Sequence, residues 1–288
     1  MDKELTIIVP VNNEKESIEL FLNALDKIEL PVSKTVLFID DGSTDGTSNT
    51  IVALRTHYTE INIQCIVFSR NFGKEAAMYA GLEHSKSDYV AFMDVDLQDP
   101  VELLPEMVTE VMSDKYDMVA AKRINRDDEK WLRSKFSDGF YWLMNKVSGV
   151  NLEKGERDYR VMNQAVVNAL LSLGESKRFS KGMFHWIGFR TKYLSYPNAQ
   201  RQMGTSSWRM TDLVAYAIDG IVGFSMKPLL LVSMSGLILF ILSLLAIVFV
   251  AGCAIFLPAS SAFGWASLVS IILLFSASQL LSLDVNGN

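Results

Sequence analysis

Between Pro228 and Leu283 the chain carries no Asp, Glu, Lys, Arg or His, and nearly all of its charge lies before that stretch. A water-soluble domain of this size rarely hides so long an uncharged run, so the chain divides into a polar N-terminal part and a membrane-embedded C-terminal part. The run breaks at Gly252 to Phe263, which contains Pro258 and a cluster of small residues. This leaves Pro228 to Ala251 and about Gly264 to Leu283. At 1.5 Å per residue each piece is long enough to cross roughly 30 Å of hydrocarbon. Two transmembrane helices are therefore expected. Lys227, Arg209 and Arg201 precede the first span and the connecting loop has no positive charge, which puts the polar part on the cytoplasmic side and makes the protein multi-pass. Met1-Asp2-Lys3-Glu4 leads straight into a strand-like run, with no charged-then-apolar leader.

The net charge of −6, with no long basic stretch, argues against nucleic acid as a partner. Cys65 and Cys253 offer no disulfide framework, in keeping with a reducing compartment. His57, His84 and His185 are scattered without metal-ligand spacing and read as surface or packing residues.

The polar part alternates strand and helix signals. Leu5 to Val9, Thr35 to Ile39, Ile61 to Phe68 and Tyr89 to Met93 are short β-rich runs. Each is followed by a helical pattern, at Glu14 to Ile28, Thr47 to Tyr58, Lys74 to Glu83 and Val101 to Met112. Repeated units of this kind imply an α/β fold with a mostly parallel sheet and flanking helices. Met118 to Ala121 reads as a further strand, after which the pattern changes. Trp131 to Val147 is aromatic-rich and helix-like, and Trp208 to Phe224 has an apolar face just before the first span. Trp and Tyr suit headgroup depth, so interfacial placement competes with packing on the sheet for the first segment and is favoured for the second.

Open α/β sheets bind ligands beyond the carboxyl ends of their strands, and that is where the unusual residues fall. Asp94 and Asp96 follow the fourth strand, ahead of Leu97-Gln98-Asp99-Pro100. Their oxygens suit Mg²⁺ or Mn²⁺, hard cations that bridge protein to diphosphate. Taken alone, such a pair is more often a turn that caps the next helix. Asp40-Asp41-Gly42-Ser43-Thr44-Asp45-Gly46-Thr47 follows the second strand. There Gly42 permits a tight turn and Ser43, Thr44 or Asp45 can cap a helix. Capping does not explain two adjacent acids, and a carboxylate here can accept from a uracil N3–H or ribose hydroxyls.

Taken in order, Val9-Pro10-Val11-Asn12-Asn13-Glu14, Asp40 to Thr47, Ser69 to Ala76 and Met93 to Pro100 resemble the family 2 glycosyltransferases of GT-A fold. The narrower likeness is to the polyisoprenyl-phosphate branch, which includes bactoprenol glucosyltransferases and dolichol-phosphate mannose synthases. Arg157 to Met162, Arg178 to Gly182, Trp186 to Phe189 and Phe224 to Pro228 fit it too.

The resemblance implies inverting transfer of a sugar from a nucleotide-diphosphate donor, a UDP-sugar first, to a membrane polyprenyl phosphate. Asp94, Asp96 and Gln98 match the metal-holding D-x-D-x-Q, and Asp96 and Asp158 match catalytic-site positions. Pro10, Glu14 and Asp41 match positions near the donor base and ribose, and Lys74 is placed to approach donor phosphate. Cations are disfavoured at helix N-termini, which favours a bound anion beside Lys74. Arg123 and Arg133 match the acceptor-phosphate pattern, and Arg201 precedes Gly204-Thr205-Ser206 in a stretch similar to the acceptor loop. A homo-oligomer is compatible with this branch.

The expected layout is a cytoplasmic GT-A domain over 1–207, a juxtamembrane interfacial helix over 208–227 and a two-helix hairpin over 228–288. The sequence departs from the family at Asn12 (usually aromatic), Val95 (commonly Ala) and Ser207 (often Lys). The end at Leu283 to Asn288, where relatives continue, suggests a truncated hairpin. GDP-mannose-dependent transfer and an inactive nucleotide-sugar-binding scaffold are the alternatives. A processive synthase lacks its Q-x-x-R-W motif here, and a haloacid-dehalogenase-like phosphatase would need the acidic pair on the first strand.

Overall fold

The computed structural model of the chain describes residues 3–124, 155–175, 178–197 and 227–256, with helical residues within 264–279. It divides into two units, Met1–Gly223 and Phe224–Asn288.

The first unit opens as expected. Strand β1 (Glu4–Val11) leads to helix α1 (Lys15–Asp26), β2 (Ser33–Asp40) to α2 (Thr47–Leu54), and β3 (Ile61–Val67) to α3 (Lys74–His84). Strand β4 (Tyr89–Phe92), a 3-10 turn at Val101–Leu103, α4 (Leu104–Met112) and β5 (Met118–Arg123) follow. Four further elements were not foreseen as strands or helices: β6 (Glu156–Asn163), α5 (Gln164–Ser172), α6 (Ser180–Trp186) and β7 (Thr191–Tyr196).

The seven strands form one sheet in the order β3-β2-β1-β4-β6-β5-β7. β1, β2, β3 and β4 run parallel, as do β5 and β7, while β6 is antiparallel to both its neighbours. The mostly parallel sheet therefore holds, with one inverted strand placed next to β4. The chain moves outward from β1 through β2 to β3, then returns to place β4 on the other side of β1. That reversal is a topological switch point, where such sheets bind ligands.

Alternation along β1 sets the two faces. Leu5, Ile7, Val9 and Val11 join the main core with Ile18, Phe21, Leu22 and Leu25 of α1 and Leu104, Met107, Val108 and Val111 of α4. Both helices carry these residues at i, i+3, i+4 and i+7, the stripe a helix buries on a sheet. Phe21 meets Phe38 edge-on at 6.2 Å. The opposite face takes α3. There a Cβ on Gly81 would stand 2.3 Å from Ile8 Cγ2, so glycine sets how closely the helix approaches β1.

In the second unit helix α7 spans Lys227–Phe256. Ser233–Gly252 is long and apolar enough to cross a membrane. Leu237, Ile241, Leu245, Val248 and Phe249 are exposed along it. It is the one such helix among the described residues. The expected second span, its connecting loop and the segments 131–147 and 208–224 lie largely or wholly outside those residues.

Candidate active site

Three loops meet at the carboxyl ends of β1, β2 and β3. Asn13, at φ 57°, donates its backbone N–H to Ser43 Oγ at 2.9 Å and accepts from the Thr44 amide at 2.9 Å through Oδ1. Asn12 Nδ2 donates to the Asp41 carbonyl at 2.7 Å, and the Glu14 amide to Thr47 Oγ1 at 3.1 Å. Asp40, fully buried, accepts the Ser43 amide at 2.8 Å, which makes it a turn-former. Asp41 reaches the third loop, where its two oxygens accept the amides of Phe72 at 2.6 Å and Gly73 at 2.8 Å. Each oxygen keeps a lone pair. Of the three expected capping residues Asp45 satisfies a free amide of α2: its Oδ1 accepts the Thr47 amide at 2.9 Å, while Gly46 occupies the cap position itself.

Gly42 makes this convergence possible. It sits at φ +69°, and a Cβ there would lie 2.5 Å from the Arg70 carbonyl carbon and 2.7 Å from the Asn71 nitrogen. Gly42→Ala is expected to destabilise the fold by ~1–3 kcal/mol, combining left-handed strain with a backbone clash. Thermal melting of the purified full chain checks this. An unchanged midpoint would show that the loops have room to part.

The second half of the site comes from β4 and β6. Their antiparallel register pairs Phe92 with Arg160. Continued two residues further, it sets Asp94 opposite Asp158. Lys74, the first residue of α3, reaches between them, with Nζ 2.7 Å from Asp94 Oδ1 and 2.8 Å from Asp158 Oδ2. The Asp94 and Asp158 side chains remain 27% and 25% exposed, so both are open to a ligand. Burial acts against charge on both sides of this pair, and the opposite charges win. Asp158 is held well below the usual carboxylate range by Lys74, Lys181 and Arg160. Lys74 is held well above the usual lysine range by Asp158 and Asp94.

Arg157 is the residue that sequence reasoning missed as part of the site. Its Nε donates to Asp99 Oδ1 at 3.0 Å and its Nη2 to Gln98 Oε1 at 3.4 Å, and Nη2 stands 3.9 Å from Asp94 Oδ2. Asp99 is itself buried, which pushes its carboxyl up, and it also accepts from the Tyr196 hydroxyl. The loop after β4 is thus tied to β6 and β7. Within it Leu97 turns at φ 55° and Asp96 Oδ1 accepts the Gln98 amide at 3.2 Å.

Behind the site Arg160 is fully buried. Its guanidinium lies 3.4 Å from the centroid of Phe184 and bonds Glu156 Oε1 at 3.1 Å and the carbonyls of Arg157 at 2.9 Å and Asp158 at 3.3 Å. His185 Nε2 is 2.7 Å from the other Glu156 oxygen, in agreement with a packing histidine.

Pro10 lies near the end of β1, and Glu14, at the N-cap of α1, accepts the Ser17 hydroxyl through Oε2 at 2.7 Å. Arg123 ends β5, its amide bonded to the Gly155 carbonyl at 2.9 Å. Arg133 and Arg201 lie outside the described residues. Among the described residues no three His, Cys, Asp or Glu side chains converge as a metal cage. A pair of accessible carboxylates one residue apart still fits Mg²⁺ or Mn²⁺, which take one or two protein carboxylates and draw their other ligands from phosphates and water.

The mixed, mostly parallel sheet with flanking helices and an acidic site at its switch point is a GT-A-like α/β fold, as its likeness to solved structures shows. The mannosyltransferase PcManGT of Pyrobaculum calidifontis, solved with GDP-Man and Mn²⁺, superposes with TM-score 0.54 at 18% identity, covering 100% of this chain and 80% of that one. The glucosyl-3-phosphoglycerate synthase of Mycobacterium tuberculosis, solved with Mn²⁺, UDP-Glc and phosphoglyceric acid, superposes with TM-score 0.53 at 15% identity, covering 78% and 79%. Residues 6–169 match the model of glycosyl transferase family 2. In sequence the chain is 39% identical to CsbB of Bacillus subtilis over 98% of its length and 85% of that protein. It is 37% identical to the bactoprenol glucosyl transferase of Shigella phage SfV over 78% of this chain and 73% of the relative. The chain belongs to glycosyl transferase family 2 and is a glycosyltransferase.

Proposed function

We propose that the chain transfers a hexose, glucose first, from a UDP-sugar to a polyprenyl phosphate with inversion, at the cytoplasmic face of a bacterial membrane. The observation that carries the reading is the Lys74–Asp94–Asp158 constellation at the switch point. The bactoprenol glucosyl transferase relatives and the lipid-compatible helix α7 support the acceptor class.

Asp94, Asp96 and Gln98 are the residues to hold Mg²⁺ or Mn²⁺ against the donor diphosphate. When bound, the cation would act as a Lewis acid on the leaving nucleoside diphosphate. Pro10, Glu14 and Asp41 line the base and ribose side, and Asp41 also keeps the three loops together. Arg123, Arg133 and Arg201 receive the acceptor phosphate, since guanidinium forks suit its oxygens.

Asp158 positions the donor sugar and takes no obligatory proton. A phosphate monoester has a second pKa of about 6, so near neutrality the acceptor is mostly a dianion and already a nucleophile. The sign of the pH dependence follows. The folded pKa of Asp158 lies below its unfolded value, so its carboxylate contribution is fully present above about 3.9 and is lost only as pH falls through the lower folded value. Transfer should therefore fall below about pH 6 because the acceptor gains a proton. A phosphonate acceptor, whose second pKa is higher, should move the acid limb upward. An acid limb that stays put with both acceptors would assign it to the protein instead.

The test of the function offers the full chain, in undecaprenyl-phosphate liposomes, a panel of UDP- and GDP-sugars with Mn²⁺ or Mg²⁺. Mass spectrometry identifies the lipid product. UDP-glucose is expected to give a hexosyl-phospholipid, and no lipid-linked sugar from any donor rejects the proposal.

A further inference from the structure

Lys74 is bonded to Asp94, expected to hold the divalent cation, and to Asp158, expected to face the donor sugar. We infer that Lys74 is an exchangeable counter-ion that makes metal binding depend on the donor. Before the diphosphate arrives its ammonium bridges the two carboxylates and offsets one of their two charges, and the diphosphate then draws it away from Asp94. The inference rests on the reading of Asp94 and Asp96 as the metal-holding pair.

The geometry sets the competition. The ammonium stands 2.7 Å from Asp94 Oδ1, so a dication binding that carboxylate meets a positive charge already in place. The two cations repel across a distance at which charges in a partly buried site interact strongly. A donor diphosphate reverses the balance, because it adds oxygen ligands for the metal and an anionic acceptor for the ammonium. Two of the three N–H donors on Nζ are directed at Asp94 and Asp158. The third is available to a phosphate oxygen.

Among the described residues, Lys74 is a cation near Asp94 whose two ion pairs are both to site carboxylates. Arg157 stands 3.9 Å from Asp94 but is anchored to Asp99 at 3.0 Å and to Gln98. Arg160 is buried against Phe184 and bonded to Glu156. Lys181 acts on Asp158 through its charge. Both ion-pair partners of Lys74 are themselves site carboxylates, and its four-carbon stem lets the charge swing while the backbone stays in α3. The charged groups facing Lys74 are therefore Asp94 and Asp158, with Glu75 beside it held by Ser180. Binding coupling is reciprocal, so the donor tightens the metal by the factor with which the metal tightens the donor.

Electron paramagnetic resonance of free Mn²⁺, titrated into the full chain in detergent with and without UDP, tests this without turnover. Wild type should bind Mn²⁺ alone weakly and bind it roughly tenfold more tightly with UDP, within the usual range of coupled sites. Lys74→Met should bind Mn²⁺ alone roughly tenfold more tightly than wild type and lose most of the UDP-linked gain. Lys74→Gln, which keeps donors for both carboxylates, supplies the same comparison if the methionine variant fails to fold. Lys74→Arg keeps the charge and should keep the weak Mn²⁺ binding. The inference is overturned if the uncharged variants bind Mn²⁺ no more tightly than wild type, or if Lys74→Arg matches them. Wild type that binds no Mn²⁺ even with UDP would instead sink the underlying assignment of the metal pair.

Discussion

Asp94→Asn is expected to lower kcat/KM by on the order of 10²–10³-fold, the scale of losing one preorganised charge-stabilising group. The substitution preserves shape and a carbonyl acceptor, so Lys74 keeps a hydrogen bond to position 94 and its ion pair with Asp158 at 2.8 Å. Stability should therefore change little while the chemistry fails. Asp88 provides the comparison. It sits just before the opposite end of β4, where it accepts the Glu4 amide at 2.9 Å, and Asp88→Asn should leave turnover within about twofold of wild type. Initial rates of lipid-linked hexose formation, with melting curves for both variants, check the pair. An Asp94→Asn chain that turns over normally would remove Asp94 from the mechanism.

Arg160→Met is expected to destabilise the first unit by ~3–5 kcal/mol, the cost of breaking a buried ion pair from one side. Glu156 would keep its bond to His185 but lose its guanidinium partner, and the Arg157 and Asp158 carbonyls would lose that donor. Arg157 stands 3.9 Å from Asp94 and Asp158 shares Lys74 with it, so activity should fall with stability even though Arg160 touches no expected ligand. The double variant Glu156→Leu with Arg160→Met removes both charges and should recover much of the lost stability, because replacing a buried pair by apolar side chains is often nearly neutral. Thermal melting of the full chains decides this. A double variant no more stable than Arg160→Met would place the loss in packing on Phe184 instead of in the stranded charge.

The legible parts of this chain were local and periodic. The strand runs β1 to β5 and the helices between them follow from alternation and apolar stripes, and these appear in the structure with shifted ends. β6 was harder, because Arg157-Asp158-Tyr159-Arg160 is charged where a strand is usually apolar. Its burial depends on partners outside the strand: Phe184 stacked on Arg160, His185 on Glu156, and Asp99 with Tyr196 for Arg157. The same reason hid Arg157. A guanidinium bound to three loop side chains leaves no periodic signal, although its place beside Asp158 in a motif was one clue.

The sequence by itself determined that an acidic pair ends the fourth strand of an alternating α/β domain, and that an uncharged tail suited to lipid follows, since both depend on residue order and composition. Only the tertiary structure decided what those acids face. Inserting β6 antiparallel beside β4 brings Asp158 across from Asp94, and the start of α3 delivers Lys74 between them. That meeting depends on strand order and register, which are set by packing across the whole sheet and by no local pattern.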